Sequence, residues 1–139
     1  MTVMTPEMLE AFLESEFPQA MHLGCKVTHL DAKSIDILMT TQDRHLRPGG
    51  TVSGPAMMEL ADCTMYLLLL AQIGPVALAV TTSLNINFLR KPEPGSLRAH
   101  GKLLKLGRTL AVGDISLFSE GVEEPVAHVT TTYAIPPKK

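Results

Sequence analysis

Residues 53–70 read Ser-Gly-Pro-Ala-Met-Met-Glu-Leu-Ala-Asp-Cys-Thr-Met-Tyr-Leu-Leu-Leu-Leu. Apolar positions fall on nearly every face of this run, so it predicts a helix packed on all sides. It is almost long enough to cross a membrane. Glu59, Asp62 and Gln72 interrupt it, however, and Gly74-Pro75 ends it, so the pattern predicts a core helix of a soluble protein over Gly54–Ile73. Pro55 is tolerated because it falls in the first turn.

The flanking pattern is shorter in period. A small amphipathic helix opens the chain, capped by Thr5, with Pro6 in its first turn and Met8, Leu9, Phe12 and Leu13 on one face. Phe17-Pro18 stops it. Strands are expected near 26–30 and 34–40, turned at Asp31-Ala32-Lys33. Residues 44–52 form a loop rich in breakers. After the long helix, 76–89 ends with Leu84, Ile86 and Phe88 alternating against Ser83, Asn85 and Asn87. That alternation marks a strand with one buried and one polar face. Lys91-Pro92-Glu93-Pro94-Gly95 breaks it, and strands follow at Leu97–Leu106, 109–118 and 125–135, the first two turned at Gly107-Arg108.

The order is short helix, two strands, long helix, four strands. An α+β fold satisfies it: one curved antiparallel sheet wrapped around the buried helix, as one domain over residues 1–139. The opening helix occupies 1–18 and the tail 136–139. Such a sheet has free edges, and pairing them between subunits protects them, so a dimer is expected.

Composition narrows the function. A net charge of -2, few aromatics and no Trp argue against nucleic-acid binding. Cys25 and Cys63 have no metal or redox spacing and read as reduced core residues of a cytoplasmic protein. The first residues lack the pattern of a signal peptide. The histidines at 22, 29, 45, 100 and 128 show no metal-ligand spacing, so no metal is expected; His45, in the loop, is the one candidate for substrate contact. Residues 50–54 miss a Gly-x-Ser-x-Gly nucleophile elbow by one position.

The chemistry concentrates on the long helix. A buried carboxylate at Asp62 costs free energy unless it is paired or protonated, and a catalytic role explains its presence. A structural hydrogen bond explains it equally. Gly50-Thr51-Val52-Ser53-Gly54 brings a glycine loop to the helix start, where free N–H groups and the dipole favour developing negative charge. Gly54 lacks a Cβ, so a ligand carbonyl can approach its N–H closely. An ordinary helix start with Ser53 as N-cap fits as well. Gly54 and Asp62 are eight residues apart, roughly 12 Å along one helix. A carbonyl needs its donor and its base each within about 3 Å. Two antiparallel chains can supply both; one cannot. Pro55, Glu59, Asp62 and Tyr66 share one helix face, so Glu59 is an alternative base, and Tyr66 reads as a core or interface residue.

These residues resemble the hotdog-fold acyl-CoA thioesterases, most closely the phenylacetate-pathway (PaaI-like) type. That family carries Asn-x-x-Gly-x-x-His-Gly-Gly and an Asp nine residues after the His. Here the stretch is Arg47-Pro48-Gly49-Gly50-Thr51-Val52-Ser53-Gly54-Pro55, with Asp62 in place. Residues 82–90 and the hairpin at 106–111 are similar too, so the resemblance covers about 20–135. It implies that Asp62 activates water or attacks the thioester, that Gly54 N–H polarises the carbonyl, that Gly50 is the loop glycine, and that Thr81 helps place water. Three residues depart: Arg47 stands for the Asn, Ser53 for the His and Pro55 for the second Gly. Ser53 either caps the helix or orders water. Arg47 either holds an acidic acyl group or a phosphate, or pairs with Asp62 or Glu59. Arg90, Lys91 and Arg108 are candidates for the phosphates of coenzyme A.

The expected function is thus a cytoplasmic acyl-CoA thioesterase, a homodimer or homotetramer (a dimer of dimers) with sites at the subunit interface. It needs no cofactor beyond the CoA of its substrate and engages neither nucleic acid nor membrane. The alternative is a non-catalytic acyl-CoA or small-ligand binding protein on the same fold.

Overall fold

The computed structural model describes residues 2–16, 24–76, 78–93 and 95–137. Helix α1 spans Pro6–Glu16 and α2 spans Gly54–Ile73. The strands are β1 (Cys25–Leu30), β2 (Ser34–Met39), β3 (Val80–Phe88), β4 (Leu97–Leu106), β5 (Leu110–Ser119) and β6 (Ala127–Ala134). They form one antiparallel sheet in the order β1-β2-β4-β5-β6-β3. The sheet wraps α2, the arrangement that the element order implied and that the family resemblance names a hotdog fold.

α2 is long and apolar enough to cross a membrane by length and composition, yet 72% of that window is buried inside the fold. Leu67 through Leu70 are all buried. Each such side chain contributes about 2 kcal/mol on burial. The inward faces of β4 and β5 carry glycines where the helix comes closest. A Cβ on Gly101 would stand 3.0 Å from Thr64 Cγ2 and 3.3 Å from Ile35 Cγ2, and one on Gly113 would run into Met65 Sδ. Cys63 is buried and hydrogen-bonded with the half-buried Cys25, so these free thiols meet although 38 positions separate them. That hydrogen bond, and next burial, hold the Cys63 thiol well above the usual range.

The two sheet edges differ. On β1, the Val27 N–H donates to Glu10 Oε2 of α1 at 3.0 Å, so the opening helix covers that edge. Among the described residues β3 has no strand on its far side, and most of its own residues are exposed. Leu84 and Ile86 are half-buried and face the helix, but Phe88 is 51% exposed. The alternation read from the sequence is therefore real, while the burial it implied is incomplete because β3 is an edge. β3 also begins at Val80 rather than 76: Gly74, at φ 99, ends the helix, the Val76 N–H donates to Gly74 O at 2.8 Å, and the Ala79 N–H donates to Val76 O at 3.1 Å just before the chain joins the sheet. α1 follows its predicted cap, with the Met8 N–H donating to Thr5 Oγ1 at 3.2 Å. Leu9 and Leu13 are buried, whereas Met8 is 47% exposed and lies off the packed face. The stop at Phe17-Pro18 lies outside the described residues, as do Lys138 and Lys139 of the tail.

Candidate active site

The entry to α2 is built by a tight loop. Leu46 and Val52 bridge in antiparallel fashion, the Arg47 N–H donates to Thr51 O, and the Gly50 N–H donates to Arg47 O. Gly49 and Gly50 sit at φ 99 and 81, a conformation that side chains disfavour. Gly50 shapes this turn. His45 is buried; its Nδ1 accepts from the Gln42 N–H at 2.9 Å, and its carbonyl accepts from the Ser53 N–H at 2.7 Å. It anchors the loop to the helix start.

Ser53 is the N-cap, its Oγ accepting from the Ala56 N–H at 3.2 Å. Pro55 has no N–H, and the Met57 N–H is already bonded to Ser53 O. Gly54 is thus the one residue of the first turn whose N–H has no acceptor among the described residues. A cavity of about 680 Å³ opens beside it, lined by Gly54, Arg47, Thr51, Phe88, Arg90 and Lys91 among others. The Phe88 ring lies 3.4 Å from where a Cβ of residue 54 would be. Three cations therefore share one cavity with the helix N-terminus. Arg90 is steadied by donating through Nη1 to Pro125 O at 2.9 Å. Arg108 is not with them. It lines a separate cavity of about 1020 Å³ beside the C-terminal end of α2, with Ile73, Val76 and Ile135.

Asp62 lines a further cavity of about 310 Å³, together with Glu16, Tyr66, Thr81 and Tyr133. Its Oδ1 accepts from Thr81 Oγ1 at 2.5 Å and from Tyr133 OH at 2.9 Å. The same tyrosine hydroxyl lies 3.1 Å from the Asp62 carbonyl oxygen. No partner of Oδ2 occurs among the described residues. Burial, and next the Asp62 charge, push the Tyr133 hydroxyl well above the ordinary tyrosine range, so it remains a donor. Arg47 and Asp62 line different cavities within the chain, so the pairing considered for them is not formed. Glu59 is exposed and lines neither cavity.

A bulge delivers Thr81. Facing pairs between β3 and β6 run Phe88–Ala127, Ile86–Val129 and Leu84–Thr131, then skip to Thr81–Tyr133 because the register shifts between Thr81 and Ser83. Strict alternation would turn Thr82 toward the helix; the extra residue turns Thr81 there instead. Tyr133 escaped the sequence reading altogether. Its signal was available: Ala127, Val129, Thr131 and Tyr133 alternate as the inward face of β6, and a phenol on such a face needs a partner. Of the remaining histidines, His29, His100 and His128 pair with Asp31, Asp36 and Asp114, away from both cavities; His22 lies outside the described residues.

The sequence matches the family model described as Thioesterase superfamily over residues 49–126, which spans the end of the loop, α2 and strands β3, β4 and β5. The chain belongs to the thioesterase superfamily. It is accordingly a thioester hydrolase by class. Among solved structures it is similar to a "putative thioesterase" of Silicibacter sp. TM1040, at 53% identity and a TM-score of 0.91, covering 99% of this chain and 95% of that one. It is also similar to a phenylacetic acid degradation-related protein of Ralstonia eutropha JMP134, at 27% identity and TM-score 0.80 over 91% and 98% of the two chains. A mutant of phenylacetic acid degradation protein PaaI from Thermus thermophilus matches at 28% identity and TM-score 0.74 over 86% and 99%. None of the curated proteins matches. The structural relatives are thus PaaI-like thioesterases, in agreement with the resemblance carried by residues 47–62.

Proposed function

We propose that this thioesterase hydrolyses acyl-CoA esters at two equivalent sites, each shared between two copies of the chain. In this reading Asp62 of one copy is the base that takes a proton from water, or the nucleophile itself, and Gly54 N–H of the other copy binds the oxyanion. Arg47, Arg90 and Lys91, beside that N–H, hold the phosphates of coenzyme A, or Arg47 an acidic acyl end. The observation that carries the reading is the state of the Asp62 carboxyl group: one oxygen accepts two hydroxyl donors, and the other is uncommitted in a cavity. Donor and acid lie in separate cavities of one chain, which supports the need for a second copy. The open β3 edge supports it too, as do the exposed Pro55, Met58 and Glu59 on the Asp62 side of an otherwise buried helix. The same reading makes this a cytoplasmic enzyme, because acyl-CoA is a substrate of that compartment.

The test has two arms. Thiol release is followed with benzoyl-, phenylacetyl-, hexanoyl- and decanoyl-CoA, with binding measured in parallel. Binding without turnover of any of them supports the ligand-binding alternative and sinks the enzymatic one. In the second arm, Asp62→Asn and Gly54→Pro chains, each inactive, are mixed and refolded. Pro fits position 54 because Ser53 already has φ -72 and ψ 153, the extended conformation that a following proline requires. Random pairing makes half the dimers mixed, and one site in each has both intact groups, so about a quarter of wild-type activity should return. No recovery would place both groups of a site on one chain.

A further inference from the structure

We propose that Tyr133 is a positioning residue of the hydrolytic site, fixing one carboxylate oxygen of Asp62 so that the other, Oδ2, does the chemistry. The inference rests on Asp62 being the base. The Tyr133 hydroxyl has one proton and two acceptors within reach on residue 62, the main-chain oxygen at 3.1 Å and Oδ1 at 2.9 Å, and the Thr81 hydroxyl is in hydrogen-bond contact with it as well. Contact with backbone and side chain of the same residue restricts both torsions of the Asp62 side chain. Thr81, directly opposite Tyr133 in the β3–β6 ladder, adds the second donor to Oδ1. An oxygen that accepts two hydrogen bonds is a poorer base than its unbonded twin. The proton of the attacking water therefore goes to Oδ2. The water oxygen forms the new bond to the thioester carbon, the C–S bond breaks, and the departing thiolate recovers that proton.

Tyr133 is itself held. It is 2% exposed, so its ring is packed on nearly every side. Its ring lies 6.2 Å from that of Tyr66, which lies 6.3 Å from that of Phe12, both pairs tilted. This ladder runs from β6 through α2 to α1. A buried phenol without a free rotamer makes a more reproducible donor than the exposed Thr81 hydroxyl.

The experiment compares Tyr133→Phe, Thr81→Val, Thr81→Ser and Asp62→Asn with wild type, using the fastest acyl-CoA of the panel across the pH range, with melting curves. Loss of a hydrogen bond to a charged group corresponds to about 10- to 150-fold. Tyr133→Phe should lose that much in kcat at unchanged KM. The acid limb of its rate profile should move to higher pH, because a carboxylate deprived of a donor is protonated more readily. Thr81→Val should show the same signature and Thr81→Ser should restore it. A merely structural tyrosine would lower the melting temperature without moving the profile. Wild-type kcat and profile in Tyr133→Phe, with Asp62→Asn inactive, overturns the inference and leaves the base intact. An active Asp62→Asn overturns both. Should Tyr133→Phe melt below the assay temperature, Thr81→Val decides, since it removes the other donor to the same oxygen from an exposed position; wild-type kcat there overturns the inference.

Discussion

Two substitutions at Asp62 should be equal in activity and unequal in stability. Asn keeps an oxygen where Oδ1 stands, so Thr81 and Tyr133 retain their acceptor. It replaces the uncommitted Oδ2 by a group that cannot accept a proton. Loss of a general base costs about 10²–10⁴ in rate, which is about 2.7–5.5 kcal/mol on the barrier. The two bonds lose only their charge assistance, so Asn should destabilise by about 1 kcal/mol or less. Ala removes the acceptor as well. Its hydroxyl partners fare differently: Tyr133 can still use the residue 62 carbonyl at 3.1 Å, whereas Thr81 is exposed and turns to water. The penalty is therefore nearer the lower end of the 1–3 kcal/mol range for an orphaned buried donor, about 1–2 kcal/mol beyond Asn. At this chain length that is about 3–8 °C in Tm. Steady-state thiol release and thermal melts read the two quantities independently. Turnover by Asp62→Asn within a few-fold of wild type would show that the acid is structural. Equal melting of the Asn and Ala proteins would show that the hydrogen bonds to Oδ1 contribute nothing to the fold.

Gly101→Val should destabilise by about 1–3 kcal/mol in denaturant titration, because its branches meet the β-branched Thr64 and Ile35, which have no flexible end to yield. Ser53→Ala removes the helix cap and should cost about 0.5–2 kcal/mol by the same titration, with a smaller loss of kcat than Asp62→Asn. Lys91→Ala and Arg47→Asn should raise KM for CoA esters and flatten its dependence on salt, with kcat little changed; an unchanged KM would remove these cations from the phosphate site. Both Tyr133 and Tyr66 have folded pKa values raised, chiefly by burial, above the ordinary tyrosine value of about 10. The unfolded chain thus ionises first, so stability holds below about pH 10 and falls as pH rises beyond it. Melts across that range should show the decline, and Tyr133→Phe should lessen it.

The long helix was legible because an apolar run without a polar face has few alternatives, and its ends carry Ser53-Gly54-Pro55 and Gly74-Pro75. The strands were legible from turns and alternation to within a few residues. Their environment was not, because alternation reports which way a side chain points and not whether anything covers it; Phe88 faces the helix side of an open edge. Ser53 was one of two readings and proves to be the cap. Thr81 could not be placed by period, since the bulge reverses its direction and nothing in Thr-Thr-Ser announces a bulge. Tyr133 lies 71 positions from Asp62, a pairing set by the β3–β6 register that a single sequence does not encode locally. The cations divide for the same reason. Arg90 and Lys91 follow a strand that ends beside the helix start, and Arg108 sits in the β4–β5 hairpin turn at the other end.

A helix N-terminus usually offers several N–H groups at once, which is why it suits tetrahedral anions. Here proline deletes one donor and serine occupies another, so α2 presents Gly54 alone. Such a terminus discriminates by valence. It can satisfy the single oxygen of a carbonyl on its way to an alkoxide, but it is a poor cradle for inorganic phosphate or sulfate, whose several oxygens would find one donor. The cell's abundant free anions should therefore compete weakly for this position, leaving the helix end vacant for the reacting group while neighbouring side chains deal with the phosphorylated handle.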